Sequence, residues 1–305
     1  SLYKSLSNNS ADCEKTCLSL EGETVVDKHA VAQSFSRAAY TYDNVAKIQQ
    51  WVVDQLLDRI GFHCEPMRGM DIGCGTGKAT EALLRRYPKA EVIALDFALP
   101  MLASTKKRGR WLRRPRCLCG DLDALPLAAQ SVDLVYSNAA LQWSEHPAGA
   151  IAEIHRVLRP GGLLMFSSFG PDTLKELRQA WSEVDGFEHV HRFVDMHDYG
   201  DMMVGAGLAD PVMDCERLSL TYQTVQELMR DLKAIGAVNA VSQRARGLTG
   251  RARLEALTKA YERFRAEDGR LPASYEVIYG HAWGAEQRKQ GDAVLISPDS
   301  LRRNR

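Results

Sequence analysis

No apolar run in this chain approaches the roughly 20 residues that a membrane-spanning helix needs. The first thirty residues (SLYKSLSNNSADCEKTCLSLEGETVVDKHA) hold no continuous apolar segment of the secretory kind. Net charge is absent too: 39 Lys and Arg balance 39 Asp and Glu, so no whole-chain field draws the protein to nucleic acid or to a membrane. Any anionic partner has to be met by a local patch. None of the seven cysteines (Cys13, Cys17, Cys64, Cys74, Cys117, Cys119, Cys215) belongs to a C-x-x-C pair with a matching second pair, so a structural zinc site is excluded. They are expected to be reduced thiols, mostly core filler. His189 and His191 lack a third ligand at metal-site spacing, and no metal is expected. These absences together predict a cytoplasmic protein with no membrane and no nucleic-acid partner.

What is present is ordinary globular material, 45% apolar and 26% charged, which argues against disorder and collagen. Residues 1–24 are polar and without periodicity and are expected to be a mobile tail. Over 25–64 the positions Val31, Phe35 and Ala38, then Val45 through Ile60, recur at helical spacing up to Gly61, predicting two helices ahead of the first strand. From 65 to 220 strands alternate with helices: MRGMDI, EVIALD, PRCLCGD, VDLVYSN and GGLLMFSSF, then a short strand near Pro211 to Leu220. Such alternation implies βαβ units, a mostly parallel sheet and an α/β fold. Arg159-Pro160-Gly161-Gly162 reads as a tight turn between the helix AIAEIHRVL and the next strand. Residues 221–272 read as a helical, basic insertion, 273–284 as the last core strand (SYEVIYGHAW) and 285–305 as a frayed tail.

The strongest local signal is Asp71-Ile72-Gly73-Cys74-Gly75-Thr76-Gly77, a glycine turn directly after a strand and before a helix, where missing Cβ atoms let backbone approach a ligand. Taken alone it is shared with NAD, FAD and nucleotide enzymes. Asp96, twenty-one residues past Gly75 at the end of the second strand, stands where a carboxylate accepts both hydroxyls of a ribose. Asp121 closes the third strand, and its carboxylate or the neighbouring amide is placed to hold an adenine edge; Asn138 ends the fourth. Ligands of open α/β sheets bind beyond the carboxyl ends of the strands, so these positions converge on one crevice. Lys78 occupies the place where a dinucleotide fingerprint has its third glycine, which speaks against a pyrophosphate ligand. Tyr40 and Tyr42, ahead of the domain, suit either a lid over the cofactor or the core.

DIGCGTG, LDFALPML, GDLDALPL, DLVYSNAALQW and LRPGG as a set resemble the class I S-adenosylmethionine-dependent methyltransferases over about residues 65 to 170. That resemblance implies a Rossmann-like sheet with N-terminal lid helices and a helical insertion before the last strand. It also implies cofactor contact by Tyr42, Asp71, Gly73, Cys74, Gly75, Asp96, Phe97, Met101, Asp121, Leu122 and Asn138. FSRAAYTYD, FSSFGPDTLKELRQAW, FVDMHDYGDMMVGAGLADPVMD, LTGRARLEALTKAYERFR and LPASYEVIYGHAW further resemble the malonyl-acyl-carrier-protein O-methyltransferases of early biotin synthesis, from Val25 to Trp283. The implied reaction is methyl transfer to a free carboxylate. A carboxylate is ionised at pH 7 and needs orientation rather than a base, and no Asn-Pro-Pro-Tyr-like tetrapeptide follows the fourth strand. The resemblance implies an arginine of the basic roof (Arg230, Lys233, Arg244, Arg246, Arg251, Arg253) gripping the substrate, with Arg244 first and Arg246 second. It implies acyl carrier protein as partner, which an acidic helix would dock on Lys106, Lys107, Arg108, Arg110, Arg113, Arg114 and Arg116, seven cations in eleven positions around Trp111. FGPDTLKELR and FVDMHDYGD also resemble complex I assembly proteins that modify an arginine on a partner subunit, and this alternative stays open on sequence alone.

Overall fold

A computed structural model describes residues 47–61, 64–109, 113–185, 187–234 and 250–285. All seven predicted strands form: β1 Arg68–Ile72, β2 Glu91–Asp96, β3 Arg116–Cys119, β4 Val132–Asn138, β5 Leu158–Phe169, β6 Ala209–Tyr222 and β7 Leu271–Trp283. They make one sheet in the order β3-β2-β1-β4-β5-β7-β6. The strands from β3 through β5 run parallel, and β7 is antiparallel to both β5 and β6. The described helices are α1 Lys47–Arg59, α2 Lys78–Arg86, α3 Leu99–Thr105, α4 Pro147–Val157, α5 Lys175–Val184, α6 Met196–Gly205, α7 Val225–Ala234 and α8 Arg251–Tyr261.

Strands buried on both faces read as continuous apolar runs, and the period of two then sorts alternate residues to opposite layers. On β4, Leu134 and Tyr136 join a core under α1 and α5 with Val53, Leu56, Leu177 and Trp181. Val135, between them, joins the other core with Ile151 and Ile154 of α4 and Tyr199 and Met203 of α6. Helix α2 follows the same logic at helical period: Ala79, Thr80, Leu83 and Leu84 face inward while Arg85 and Arg86 end the helix. Burying Leu83 and Leu84 contributes roughly 1.5–3 kcal/mol each.

Three sequence expectations change in detail. Helix α1 packs on the sheet, with Val53 accepting a 3.4 Å hydrogen bond at its carbonyl from the Tyr136 hydroxyl; the residues ahead of it, including Tyr40 and Tyr42, lie outside the described residues. Arg159 to Gly162 is not a turn before the strand but an irregular start within it. Leu158 already pairs with Val132, the register then slips, and the Gly161 amide donates to the Gly284 carbonyl at 2.7 Å. Strand β6 runs from Ala209 to Tyr222, longer than its weak pattern predicts, because β7 pairs with it along that length. Among the described residues no helix is long and apolar enough to cross a membrane, and no cluster of His, Cys, Asp and Glu is arranged to hold a metal.

Candidate active site

The glycine turn is tied to the neighbouring strand before it meets any ligand. The amides of Gly73 and Cys74 both donate to the Leu95 carbonyl, at 2.8 and 3.0 Å. Gly73 has φ +69°, and a Cβ there would sit 2.3 Å from the Cβ of Ala140, so only glycine lets the turn close on the segment after β4. Behind the turn Asp71 is buried at 1% exposure and accepts a hydrogen bond from the Thr80 hydroxyl of α2. Beside it Asp96 accepts the Gly75 amide on one oxygen at 2.9 Å and the Ala98 amide on the other at 2.8 Å.

Both carboxylates are held above the usual range. Burial pushes Asp71 up to about 7, with the neighbouring Asp96 charge adding to it, and burial pushes Asp96 up to about 6 against the lowering by its amide donors. Neither has an ion-pair partner among the described residues. Asp96 opens onto a crevice of about 520 Å³ at the carboxyl ends of β1, β2 and β4, with Asp71 behind it. Of the predicted cofactor residues, Gly73, Gly75, Asp96, Phe97, Met101, Leu122 and Asn138 line it.

Three predicted residues sit behind that lining. Asp71 underpins the turn. The Cys74 sulfur turns toward Leu102 and Ala94 and lies 3.7 Å from the Thr105 hydroxyl. The Asp121 carboxylate accepts the Asp123 amide at 3.0 Å and shapes the bend that presents Leu122. Tyr42, Arg244 and Arg246 lie outside the described residues.

Sequence reasoning missed the wall formed by Gly120, Ala139, Ala140 and Trp143. Apolar residues carry no chemical signature, but Ala139 betrays itself in the backbone with φ +50°, rare for a residue with a Cβ. That conformation is held by Ser167 of β5, whose hydroxyl accepts the Ala139 amide at 3.1 Å and donates to the Asn138 side chain at 2.8 Å. Trp143 is backed by His191, with ring centroids 5.4 Å apart. The His191 Nε2 donates to the Gln142 carbonyl at 3.0 Å, and burial lowers its pKa, so the ring is neutral at pH 7.

The predicted docking run is only partly presented. Lys106, Lys107, Arg114 and Arg116 are exposed. Arg108 donates to the Thr76 carbonyl and pairs with Glu81, Arg113 donates to the carbonyls of Leu84 and Tyr87, and Arg116 pairs with Glu91. Arg110 and Trp111 lie outside the described residues.

This donor set fits S-adenosylmethionine. Asp96 offers two oxygens to a ribose, and Phe97, Met101 and Leu122 offer an apolar slot to a base. The two carboxylates without a counter-charge suit a ligand that carries a sulfonium and an ammonium, and they would repel a pyrophosphate.

A family model described as a methyltransferase domain matches residues 70–166. Among solved structures the fold is similar to a SAM-dependent methyltransferase from Thermotoga maritima, with a TM-score of 0.50, 19% identity and 83% of this chain and 99% of that one covered. It is likewise similar to the YcgJ protein of Bacillus subtilis, with a TM-score of 0.54, 18% identity and coverage of 76% and 97%. In sequence the chain is 52% identical over 261 residues to the malonyl-[acyl-carrier protein] O-methyltransferase of Halorhodospira halophila, covering 85% of this chain and 88% of that protein. It is 48% identical over 287 residues to the protein of that name from Gallionella capsiferriformans, covering 92% and 99%. With glycine turn, carboxylate pair and strand-end wall all inside that shared span, the chain belongs to the malonyl-[acyl-carrier protein] O-methyltransferase family.

Proposed function

We propose that this protein methyl-esterifies the free carboxylate of malonyl-acyl carrier protein, the step that masks a charge at the start of pimeloyl and biotin synthesis. The observation that carries the reading is the crevice itself: Asp96 under a glycine turn and beside Asn138, with buried Asp71 behind it, in a chain that shares about half its residues with carrier-protein methyltransferases. S-adenosylmethionine supplies an electrophilic methyl group on a sulfonium, a leaving centre that needs no acid. The chain's own residues then bind, orient and exclude water. Asp96 and the Gly73–Gly75 turn hold the nucleoside end, and Asp71 and Asp96 favour the cationic ligand electrostatically. The strained Ala139, pinned by Ser167, keeps Asn138 at the strand end where the acceptor oxygen has to arrive in line. The acceptor is ionised at pH 7, which agrees with the wall of Gly120, Ala139, Ala140 and Trp143, none of which is a titratable base.

Acyl carrier protein is the proposed partner. Lys106, Lys107, Arg114 and Arg116 are the described members of the basic run whose exposure suits an acidic helix, Arg116 while also pairing with Glu91, and Arg108 and Arg113 serve the fold. A carrier-bound acyl substrate also supports a cytoplasmic location.

The test incubates the protein with labelled S-adenosylmethionine and malonyl-, succinyl- or uncharged acyl carrier protein, and counts base-labile methyl ester. Label on the malonyl thioester is expected, with KM for the carrier raised about tenfold when Lys106 and Lys107 are both changed to Glu. Label recovered on protein arginine instead, or no ester from protein that binds the cofactor, overturns the reading. An unchanged KM in the double variant overturns the docking assignment alone.

A further inference from the structure

Beyond β5 the chain turns through Pro171 to Thr173 into α5, and Arg178 in the second turn of that helix reaches back over the bend. Its guanidinium donates to the Pro171 carbonyl at 3.0 Å and to the Thr173 carbonyl at 3.0 Å. Its Nε is buried without a partner. Every hydrogen bond it makes therefore goes to a neutral acceptor, and no carboxylate neutralises it among the described residues. The two acids near enough to do so are engaged elsewhere: Glu188 pairs with Arg192 at 2.6 Å, and Asp172 faces Lys175 at 3.7 Å and Arg217 at 3.6 Å. Burial first, then the neighbouring Arg192 charge, lower the Arg178 pKa, against the opposing charges of Asp172 and Glu188.

A half-buried cation without an anion is costly to keep, since desolvation is not offset by Coulomb attraction. Its position suggests what offsets it. Ser167 of β5 pairs in register with Asn138 at the crevice, so the Pro171–Thr173 bend lies past the same strand ends as the cofactor wall. The Arg178 charge is felt by His191, and His191 backs Trp143 of that wall while packing edge-on to Phe193. The His191 Nδ1 is likewise buried and unpartnered. The guanidinium, with its orphaned Nε, is thus coupled through His191 to the Trp143 side of the crevice.

Resting on the carboxyl-methyltransferase reading, we infer that Arg178, assisted by Arg192, receives the malonyl carboxylate and steers it toward the strand end at Asn138. Arg244 and Arg246, expected in that role from the sequence, lie outside the described residues, whereas Arg178 is anchored on the core. A guanidinium pinned by two backbone carbonyls keeps its remaining N–H groups in a fixed fork, which is the geometry that a carboxylate reads.

Binding, rather than turnover, separates this inference from the reading beneath it. Protein saturated with S-adenosylhomocysteine is titrated with malonyl-acyl carrier protein and with acetyl-acyl carrier protein, which differ by one carboxylate. The wild type is expected to prefer malonyl about tenfold. Arg178→Met abolishes that preference while leaving acetyl-carrier and S-adenosylhomocysteine affinities intact. Arg178→Lys keeps part of it, and Arg192→Gln, at an exposed position that does not endanger folding, reduces it about threefold. A malonyl preference that survives both Arg178→Met and Arg192→Gln overturns the inference. An equal loss for both carriers also overturns it, because the guanidinium then meets the phosphate of the prosthetic arm and not the carboxylate. A wild type without any preference defeats the carboxyl-methyltransferase reading itself.

Discussion

The parallel side of the sheet and its antiparallel side build their functional walls from very different stretches of chain. On the parallel side every residue that lines the cofactor crevice falls between Gly73 and Trp143, and the glycine turn is tied by short-range hydrogen bonds such as Asp96 to Gly75, 21 residues apart, and Asp71 to Thr80, 9 apart. On the antiparallel side α5 is fastened to β7 by Glu176, whose carboxylate accepts the Ser274 amide across 98 residues. The adjoining bend is fastened by Glu276, which accepts the Asp172 amide across 104 residues. Short loops can encode a site as a motif, because strand, turn and helix start are consecutive. A site assembled across such separations leaves no contiguous motif in the chain.

The largest expected effect strikes the parallel side. Gly73→Ala places a Cβ 2.3 Å from Ala140 and forces an L side chain into φ +69°. Left-handed backbone costs about 1–2 kcal/mol and overpacking about 1–3, so a combined ~3 kcal/mol weakens S-adenosylmethionine binding by about 100-fold in calorimetric titration. Near wild-type affinity would show that the turn yields and that Ala140 does not set the crevice.

This contrast also explains what was legible beforehand. The seven strands, the glycine turn and Asp96 announce themselves through periodicity, turn residues and a carboxylate at a fixed spacing. Ala139, Ala140 and Trp143 do not, since their part in the wall depends on Ser167 gripping the end of β4 from another strand. The length of β6 was hidden because its partner β7 lies nearly fifty residues on, past α7 and α8. Arg178 reads as one more polar residue on an amphipathic helix until the fold shows that, among the described residues, its hydrogen bonds go to backbone carbonyls and none to an acid.

A smaller effect sharpens the electrostatic part of the comparison. The folded pKa values of Asp71, about 7, and Asp96, about 6, lie above the ordinary 3.8, so the free protein binds protons more tightly than the unfolded chain does. By linkage their contribution favours folding most fully below about pH 4 and is lost as pH rises through 6 and 7. A cationic cofactor reverses that cost by stabilising the ionised pair. S-adenosylmethionine affinity is therefore expected to fall roughly tenfold from pH 7.5 to pH 5.5, and the rise in Tm that it confers shrinks in parallel. Asp71→Asn should flatten part of that profile. A flat wild-type profile would mean that neither carboxylate changes its protonation on cofactor binding between pH 5.5 and 7.5.

The smallest effect belongs to the antiparallel side and tests whether the walls are separable. Tyr199 of α6 is fully buried, and its hydroxyl lies 3.0 Å from that of Ser168, whose oxygen also approaches the Gln142 side chain at 3.4 Å. The Gln142 side-chain oxygen in turn accepts the Phe169 amide at 3.2 Å, so this chain of polar groups braces the start of the Trp143 wall from β5. Tyr199→Phe removes one buried hydrogen bond without changing the ring, at about 1 kcal/mol, a fall of about 2 °C in Tm. Because the brace enters from the acceptor side, KM for malonyl-acyl carrier protein is expected to rise two- to threefold, by rough scaling from that loss, while S-adenosylmethionine affinity holds. If cofactor affinity falls instead, the Trp143 wall belongs mechanically to the nucleoside end of the crevice, and the division between the two sides of the sheet lies one strand further toward β7.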